Sequence, residues 1–199
     1  MNLQEEKLCE TGSRAFILEQ RLLKNPIIRT IFEKAPSIGM PNWHLGAGCI
    51  AQTFWNIEYG LNPTYGIKDY DLVYFDENIS HEKEDEFIRR GRELFFDIGD
   101  IIEIRNEARV HLWYEEHFGY PINPYQSMEE AVGSWPTIAA AVAVRYDHDD
   151  GFIICAPFGL DDLFSLVVRP NKKQITKEIY DRRVERWAAC WPKLDIVDW

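Results

Sequence analysis

Three acidic residues stand apart from the chain's other charges because each begins or interrupts an apolar strand. Asp69 and Asp71 bracket the start of Tyr70-Asp71-Leu72-Val73-Tyr74-Phe75, and Glu103 lies inside Ile101-Ile102-Glu103-Ile104. A carboxylate in such a run is costly to desolvate unless something compensates its charge. Residues two apart on a strand project from the same face about 6.6 Å apart along its axis, so Asp69 and Asp71 can reach one cation. With the strand of Glu103 placed beside the first, its side chain enters the same site. Three converging carboxylates then call for a hard divalent ion, Mg²⁺ or Mn²⁺. Two such ions about 4 Å apart stabilise the attacking and leaving oxygens of an in-line phosphoryl displacement. The other half of such a site must hold phosphates. Gly46-Ala47-Gly48 falls between a strand candidate and the start of a helix, where bare N–H groups and the helix dipole favour an anion and small residues let it approach. Lys68 adjoins the aspartates and either contacts a triphosphate or forms only a local salt bridge.

The elements that must position these residues are read from periodicity. Ala15, Leu18 and Leu22 share a helical face within residues 13–24, and Pro26 opens a second helix to about Lys34. Asn42-Trp43-His44-Leu45 is a short strand candidate leading through the glycine turn into a helix marked by Ile50, Phe54, Ile57 and Leu61. After the break at Asn62-Pro63 and Gly66 comes the aspartate strand, then a helix over 81–97 capped by Ser80, the Glu103 strand, and a helix ending near Gly119. Thr137–Arg145, Phe152–Cys155 and Leu166–Arg169 are further strand candidates, the first equally compatible with a helix. A final helix places Tyr180, Val184, Trp187 and Trp191 on one side and stops at Pro192. The expected architecture is α/β (α+β): N-terminal helices over 1–38, then one continuous domain over 39–199 with a mixed, twisted sheet flanked by helices and a C-terminal strand and helix extension.

Composition narrows the partners. The chain has 199 residues, is 46% apolar, and carries 22 Lys+Arg against 33 Asp+Glu for a formal charge of −11. That is enough apolar content for a packed core and excludes disorder. So acidic a surface repels phosphate backbones and anionic bilayers, which disfavours long nucleic acid or a membrane as partner. No run of about 20 apolar residues offers a membrane span. The start Met1-Asn2-Leu3-Gln4-Glu5-Glu6-Lys7 lacks the basic and apolar regions of a secretion signal, so the expected compartment is the cytoplasm. Cys9, Cys49, Cys155 and Cys190 are scattered without a C-x-x-C pair and read as reduced thiols.

A small glycine turn, an Asp-x-Asp on the next strand and a third acid between apolar residues resemble the DNA polymerase β-like nucleotidyltransferase superfamily. The phrases Lys68-Asp69-Tyr70-Asp71-Leu72-Val73-Tyr74-Phe75-Asp76, Arg105-Asn106-Glu107-Ala108-Arg109-Val110-His111-Leu112-Trp113-Tyr114 and Ala156-Pro157-Phe158-Gly159-Leu160-Asp161-Asp162 resemble, more narrowly, a bacterial nucleotidyltransferase-like family, over roughly residues 40–192. The resemblance implies the fold, an NTP substrate with an unknown acceptor, and a divalent metal on Asp69, Asp71 and Glu103. Nucleotide binding is then expected at Gly46, Ala47, Gly48, Lys68, Asn106 and Arg109, the last two sharing a helical face with Trp113. Two departures are visible: Ala47 stands where the superfamily turn commonly has glycine or serine, implying a weaker phosphate grip, and Asn62-Pro63-Thr64-Tyr65-Gly66 is inserted before Asp69, implying a reshaped or covered pocket.

Three functions fit this reading: transfer of a nucleoside monophosphate to a hydroxyl of a small molecule or protein, a degenerate nucleotide-binding module, and a metal-dependent phosphoesterase. Elsewhere the bland reading is preferred. His111 has no second ligand at metal spacing, Asp161-Asp162 reads as a helix or turn cap, and the seven Lys/Arg against three Asp/Glu of residues 169–186 read as a solvated helix face in preference to a basic stripe that meets nucleotide phosphates or an acidic partner.

Overall fold

The computed structural model describes residues 3–147 and 149–199, with side chains from residue 12 onward; Met1 and Asn2, and the side chains of Leu3–Lys7 and Cys9, lie outside the described set. In chain order the elements are α1 (Leu3–Leu22), α2 (Pro26–Lys34), β1 (His44–Gly46), α3 (Gly48–Glu58), β2 (Tyr70–Tyr74), α4 (His81–Leu94), β3 (Ile102–Asn106), α5 (Val110–Phe118), α6 (Met128–Val132), β4 (Ala143–Asp147), β5 (Gly151–Cys155), α7 (Asp161–Phe164), β6 (Val167–Val168), α8 (Lys177–Cys190) and β7 (Asp195–Ile196). Five strands form a mixed sheet in the order β3-β2-β1-β4-β5, with β2 and β3 parallel and the other neighbours antiparallel. The parallel pair is joined through α4, as a parallel connection requires a crossover.

Alternation along β2 decides which face is which. Tyr70, Leu72 and Tyr74 enter the main core, so Asp71 and Val73 point the other way. The main core is lined by α1, α2, α3 and α8: Leu18 and Leu22, Ile28 and Ile31, Phe54 and Trp55, and Trp187. Trp55 packs edge-on against Trp187 at 5.1 Å and against Trp191 at 5.6 Å, and all three are essentially sealed from water. Each such side chain contributes roughly 1.5–3 kcal/mol by burial and fixes α8 across α3. The two N-terminal helices share this core with the sheet. The opposite face carries only a small apolar patch of Val73, Met128, Val132, Ala141 and Ala143, with Trp135 packed against it.

Local signals explain the boundaries. Asn25 caps α2 through its side-chain oxygen, with Pro26 at the first turn, and Ser80 caps α4. Helix α1 begins at Leu3, well before residue 13, and α4 ends at Leu94, short of residue 97. The long strand expected over 137–145 is cut down to Ala143–Asp147, because Ile138 N–H donates to Arg169 O and the chain turns through a 3₁₀ helix at Ile138–Ala140. The 166–169 strand shortens to Val167–Val168, which pairs in parallel with β7, a strand the periodicity did not reveal. Asp161 and Asp162 make no cap; Leu160 holds that position, and the two acids pair with Arg14 and Arg169. Cys49, Cys155 and Cys190 are free thiols. No described helix is long and apolar enough to cross a membrane.

Candidate active site

Strand register brings the key residues into one row. Gly46 of β1 stands opposite Asp71 of β2, and Asp71 stands beside Glu103 of β3. Laterally paired residues share a face, so Asp71, Glu103 and the open side of Gly46 all lie on the face away from the main core. Asp69 stands just ahead of β2, half-buried. Burial pushes the Asp71 carboxyl up to about 7 and the neighbouring charge of Asp69 adds to this, against the opposing pull of Arg105 and Arg183. Neither Asp69 nor Asp71 has a salt bridge to any described residue.

Glu103 shares the row without closing on the pair. Its carboxylate is half-exposed and accepts from the Arg105 guanidinium at 3.0 Å, and Arg105 in turn lies over the Trp113 ring at 5.0 Å. Among the described residues no three His, Cys, Asp or Glu side chains gather closely enough to hold an ion. The structure thus sets Asp71 beside Glu103 in register, with Asp69 just ahead of β2 and Glu103 engaged by an arginine two residues along its own strand.

The glycine turn leads directly into α3. Ala47 occupies the N-cap with φ 61° and ψ −135°, and no side chain caps the helix. That region of backbone space costs a residue with a Cβ on the order of 1–3 kcal/mol. The Ala47 N–H is used by Val142 O at 3.1 Å, leaving the first-turn N–H groups of α3 as the anion-favouring end of the dipole. The small residues do not open onto empty space, as the sequence led one to expect. A Cβ on Gly46 would stand 2.4 Å from the Trp135 ring, and one on Gly48 would stand 2.6 Å from Gln52 Nε2. Gly46 thus makes room for an indole, and Gly48 for the swinging end of a glutamine.

Asn106 and Arg109 take up other positions than a common helical face with Trp113. Asn106 closes β3, residues 107–109 form a 3₁₀ turn, and α5 begins only at Val110. The buried Asn106 carboxamide accepts from the N–H groups of Asp76 and Ala108, both at 3.1 Å, and donates to Asp76 O at 2.9 Å. Arg109 pairs with Glu84 at 2.8 Å and bonds Ile79 O. Both side chains tie down the segment between β2 and α4. Lys68 is exposed, and His111 is partly buried with Nδ1 unpartnered.

Glu107 went unnoticed in the sequence, and Arg183 and Arg186 were expected only as part of a solvated helix face. Glu107 is buried at the end of β3, and burial raises its carboxyl to about 7, with Arg105 opposing and Asp71 and Glu84 adding. Arg183 and Arg186 of α8 face inward. Burial lowers the Arg183 guanidinium while Asp71 and Asp69 favour its charge, and Arg186 donates to Gly66 O at 2.6 Å and Gln52 Oε1 at 3.3 Å. The signal was present: Arg183 lies three residues after Tyr180 and four before Trp187, on the flank of the buried stripe.

Comparison with known proteins gives this arrangement its context. A family described as nucleotidyltransferase matches residues 33–196. The chain belongs to this nucleotidyltransferase family. A solved structure described as "The NMR structure of the protein reveals a CCA-adding enzyme head domain" is 22% identical, with a TM-score of 0.72 over 92% of this chain and 95% of that one; it shows the same nucleotidyltransferase fold. A "tRNA-processing enzyme (apo form 2)" aligns at 18% identity and a TM-score of 0.47 over 84% of this chain and 44% of the other. No curated protein matches the sequence. The nucleotidyltransferase family and fold support nucleotidyl transfer as the general chemistry.

Proposed function

We propose that the protein moves a nucleoside monophosphate from an NTP to a hydroxyl of a small molecule or a protein. The observation that carries this reading is the row Gly46–Asp71–Glu103 across three neighbouring strands, with Asp69 beside it and the uncapped start of α3 at one end. Asp69 and Asp71 suit a hard divalent ion, since they are mutually repelling oxygen donors without a salt bridge among the described residues, and Mg²⁺ is commonly held by one or two carboxylates together with substrate phosphates. When bound, such an ion neutralises charge building up on the transferred phosphoryl group. The first-turn N–H groups of α3 orient the phosphates. Glu103, exposed and steadied by Arg105, takes the proton of the acceptor hydroxyl. The acceptor oxygen then bonds to the α-phosphorus, the bond from that phosphorus to the α,β-bridging oxygen breaks, and pyrophosphate leaves with the electron pair. Catalysis rests on positioning and charge neutralisation. The net charge of −11 disfavours long nucleic acid as the acceptor.

A second reading, a nucleotide-binding module that transfers nothing, draws on the Trp135 ring packed against Gly46. Incubation with each α-labelled NTP and Mg²⁺ or Mn²⁺ separates the two. Transfer gives metal-dependent pyrophosphate release that falls about 10²- to 10³-fold in Asp71→Asn, the scale of losing a group that stabilises transition-state charge. Binding without turnover supports the module, and metal-dependent phosphoester hydrolysis would identify a phosphoesterase instead.

A further inference from the structure

Arg183 presents an electrostatic anomaly. In a chain of net charge −11, an arginine drawn partly into the interior is expected to find a carboxylate, yet Arg183 makes no salt bridge or hydrogen bond with any described residue. Its guanidinium lies over the Trp187 ring, 5.6 Å from the centroid. None of its nitrogens is sealed from water without a partner, so the half-buried guanidinium keeps its donors free for a ligand. The aspartates whose charge reaches it, Asp71 and Asp69, lie in the row described above.

One turn further along the same helix, Arg186 is fully engaged. It donates to Gly66 O and to Gln52 Oε1, and the other end of the Gln52 carboxamide lies against Gly48. A continuous set of contacts therefore runs from α8 through Gln52 to the phosphate-favouring start of α3. The indoles of Trp187 and Trp191 against Trp55 hold α8 and α3 in fixed relation. We infer that Arg183 is the side-chain contact for the β,γ-phosphates of the nucleotide, and that Arg186 with Gln52 sets its position relative to the glycine turn. A guanidinium suits this task, since its planar fork meets two phosphate oxygens at once and it stacks on an aromatic ring without losing charge. Before transfer it holds the triphosphate; after the α,β bond breaks it holds the departing pyrophosphate.

This inference rests on the nucleotidyltransferase reading, and the test keeps the two apart. Calorimetric titration with pyrophosphate alone, and with NTP and Mg²⁺, is run on the full chain and on Arg183→Gln, Arg183→Lys and Arg182→Gln, with thermal melts verifying folding. Arg182 is exposed on the same helix. Arg183→Gln is expected to weaken both ligands about ten- to a hundredfold, the scale of a charge-assisted hydrogen bond. Arg183→Lys recovers part of the loss, and Arg182→Gln leaves binding unchanged. Where turnover is measured, the Arg183→Gln effect falls on KM for NTP more than on the response to the acceptor. Equal pyrophosphate affinity in Arg183→Gln and the unaltered chain would overturn the inference while leaving transfer intact. Arginine-dependent pyrophosphate binding in a chain that releases none from NTP would sustain the inference and defeat transfer. Failure of the unaltered chain to bind either ligand defeats both.

Discussion

The two faces of the central sheet are built on opposite principles. Toward the helices, Tyr70, Leu72 and Tyr74 of β2 meet a continuous apolar layer that includes the buried Trp55, Trp187 and Trp191. On the other side the same strand offers Asp71 and Val73, and its neighbours offer Glu103, Arg105 and a bare glycine. One face gains by excluding water from hydrocarbon; the other holds buried charge at a cost, as the raised Asp71 and Glu107 carboxyls show. Stability is concentrated on one side of a single strand and chemistry on the other, so substitutions one residue apart should affect different properties.

The largest expected effect tests the helix face. Trp55→Ala should cost about 3–5 kcal/mol, the range for emptying a large buried aromatic site, read as a lower urea midpoint. A loss under about 1 kcal/mol would mean that the indole cluster does not secure α8. On the charged face, Glu107→Gln should act through pH. The folded carboxyl holds its proton up to about 7 against an ordinary value of 4.5, so the folded chain binds more protons than the unfolded one in that window and stability falls as pH rises through it. Removing the carboxyl should take away its share of that decline, about 3 kcal/mol by pH 8 at 1.36 kcal/mol per pH unit, and leave the share of Asp71, whose carboxyl is also pushed up to about 7. Parallel stability curves for the variant and the unaltered chain between pH 4.5 and 8 would refute this. The smallest effects should differ in sign at adjacent positions. Gly46→Ala drives a methyl into the Trp135 ring and should cost about 1–3 kcal/mol. Ala47→Gly relieves the positive φ and should gain about 1 kcal/mol after the added freedom of the unfolded chain is counted. Melts that move in the same direction would show that the turn is strained differently from its geometry.

Much of the fold was legible because its cause is periodic. Alternation along Tyr70–Tyr74 and the helical spacing of Tyr180, Val184 and Trp187 directly encode which side is buried. The carboxylate row was legible for the same reason, since it needed only strand parity and one neighbouring strand. What escaped depends on partners far apart in sequence. Arg186 meets Gly66 across 120 positions, and no local pattern specifies that encounter. Glu103 could be placed on its face of the sheet, but its ion pair with Arg105 is a choice of rotamer that strand parity does not fix. Trp135 against Gly46 is a tertiary contact that a glycine spacing cannot distinguish from room for a ligand. The short β6 and β7 owe their pairing to each other, so neither carries a signal alone.

The inserted stretch before Asp69 has the composition of a loose loop, with Asn62, Pro63 and Gly66 in five residues. Yet Asn25 and Asn56 both donate to Pro63 O, Asn56 also to Tyr65 O, Arg186 binds Gly66 O, and Trp191 Nε1 anchors Asn56 from behind. Segments from both ends of the chain are thereby moored at one point. Because these bonds end on its carbonyl oxygens from several separate elements, the segment should detach only when those elements part, and the approach to the first aspartate is as durable as the fold itself.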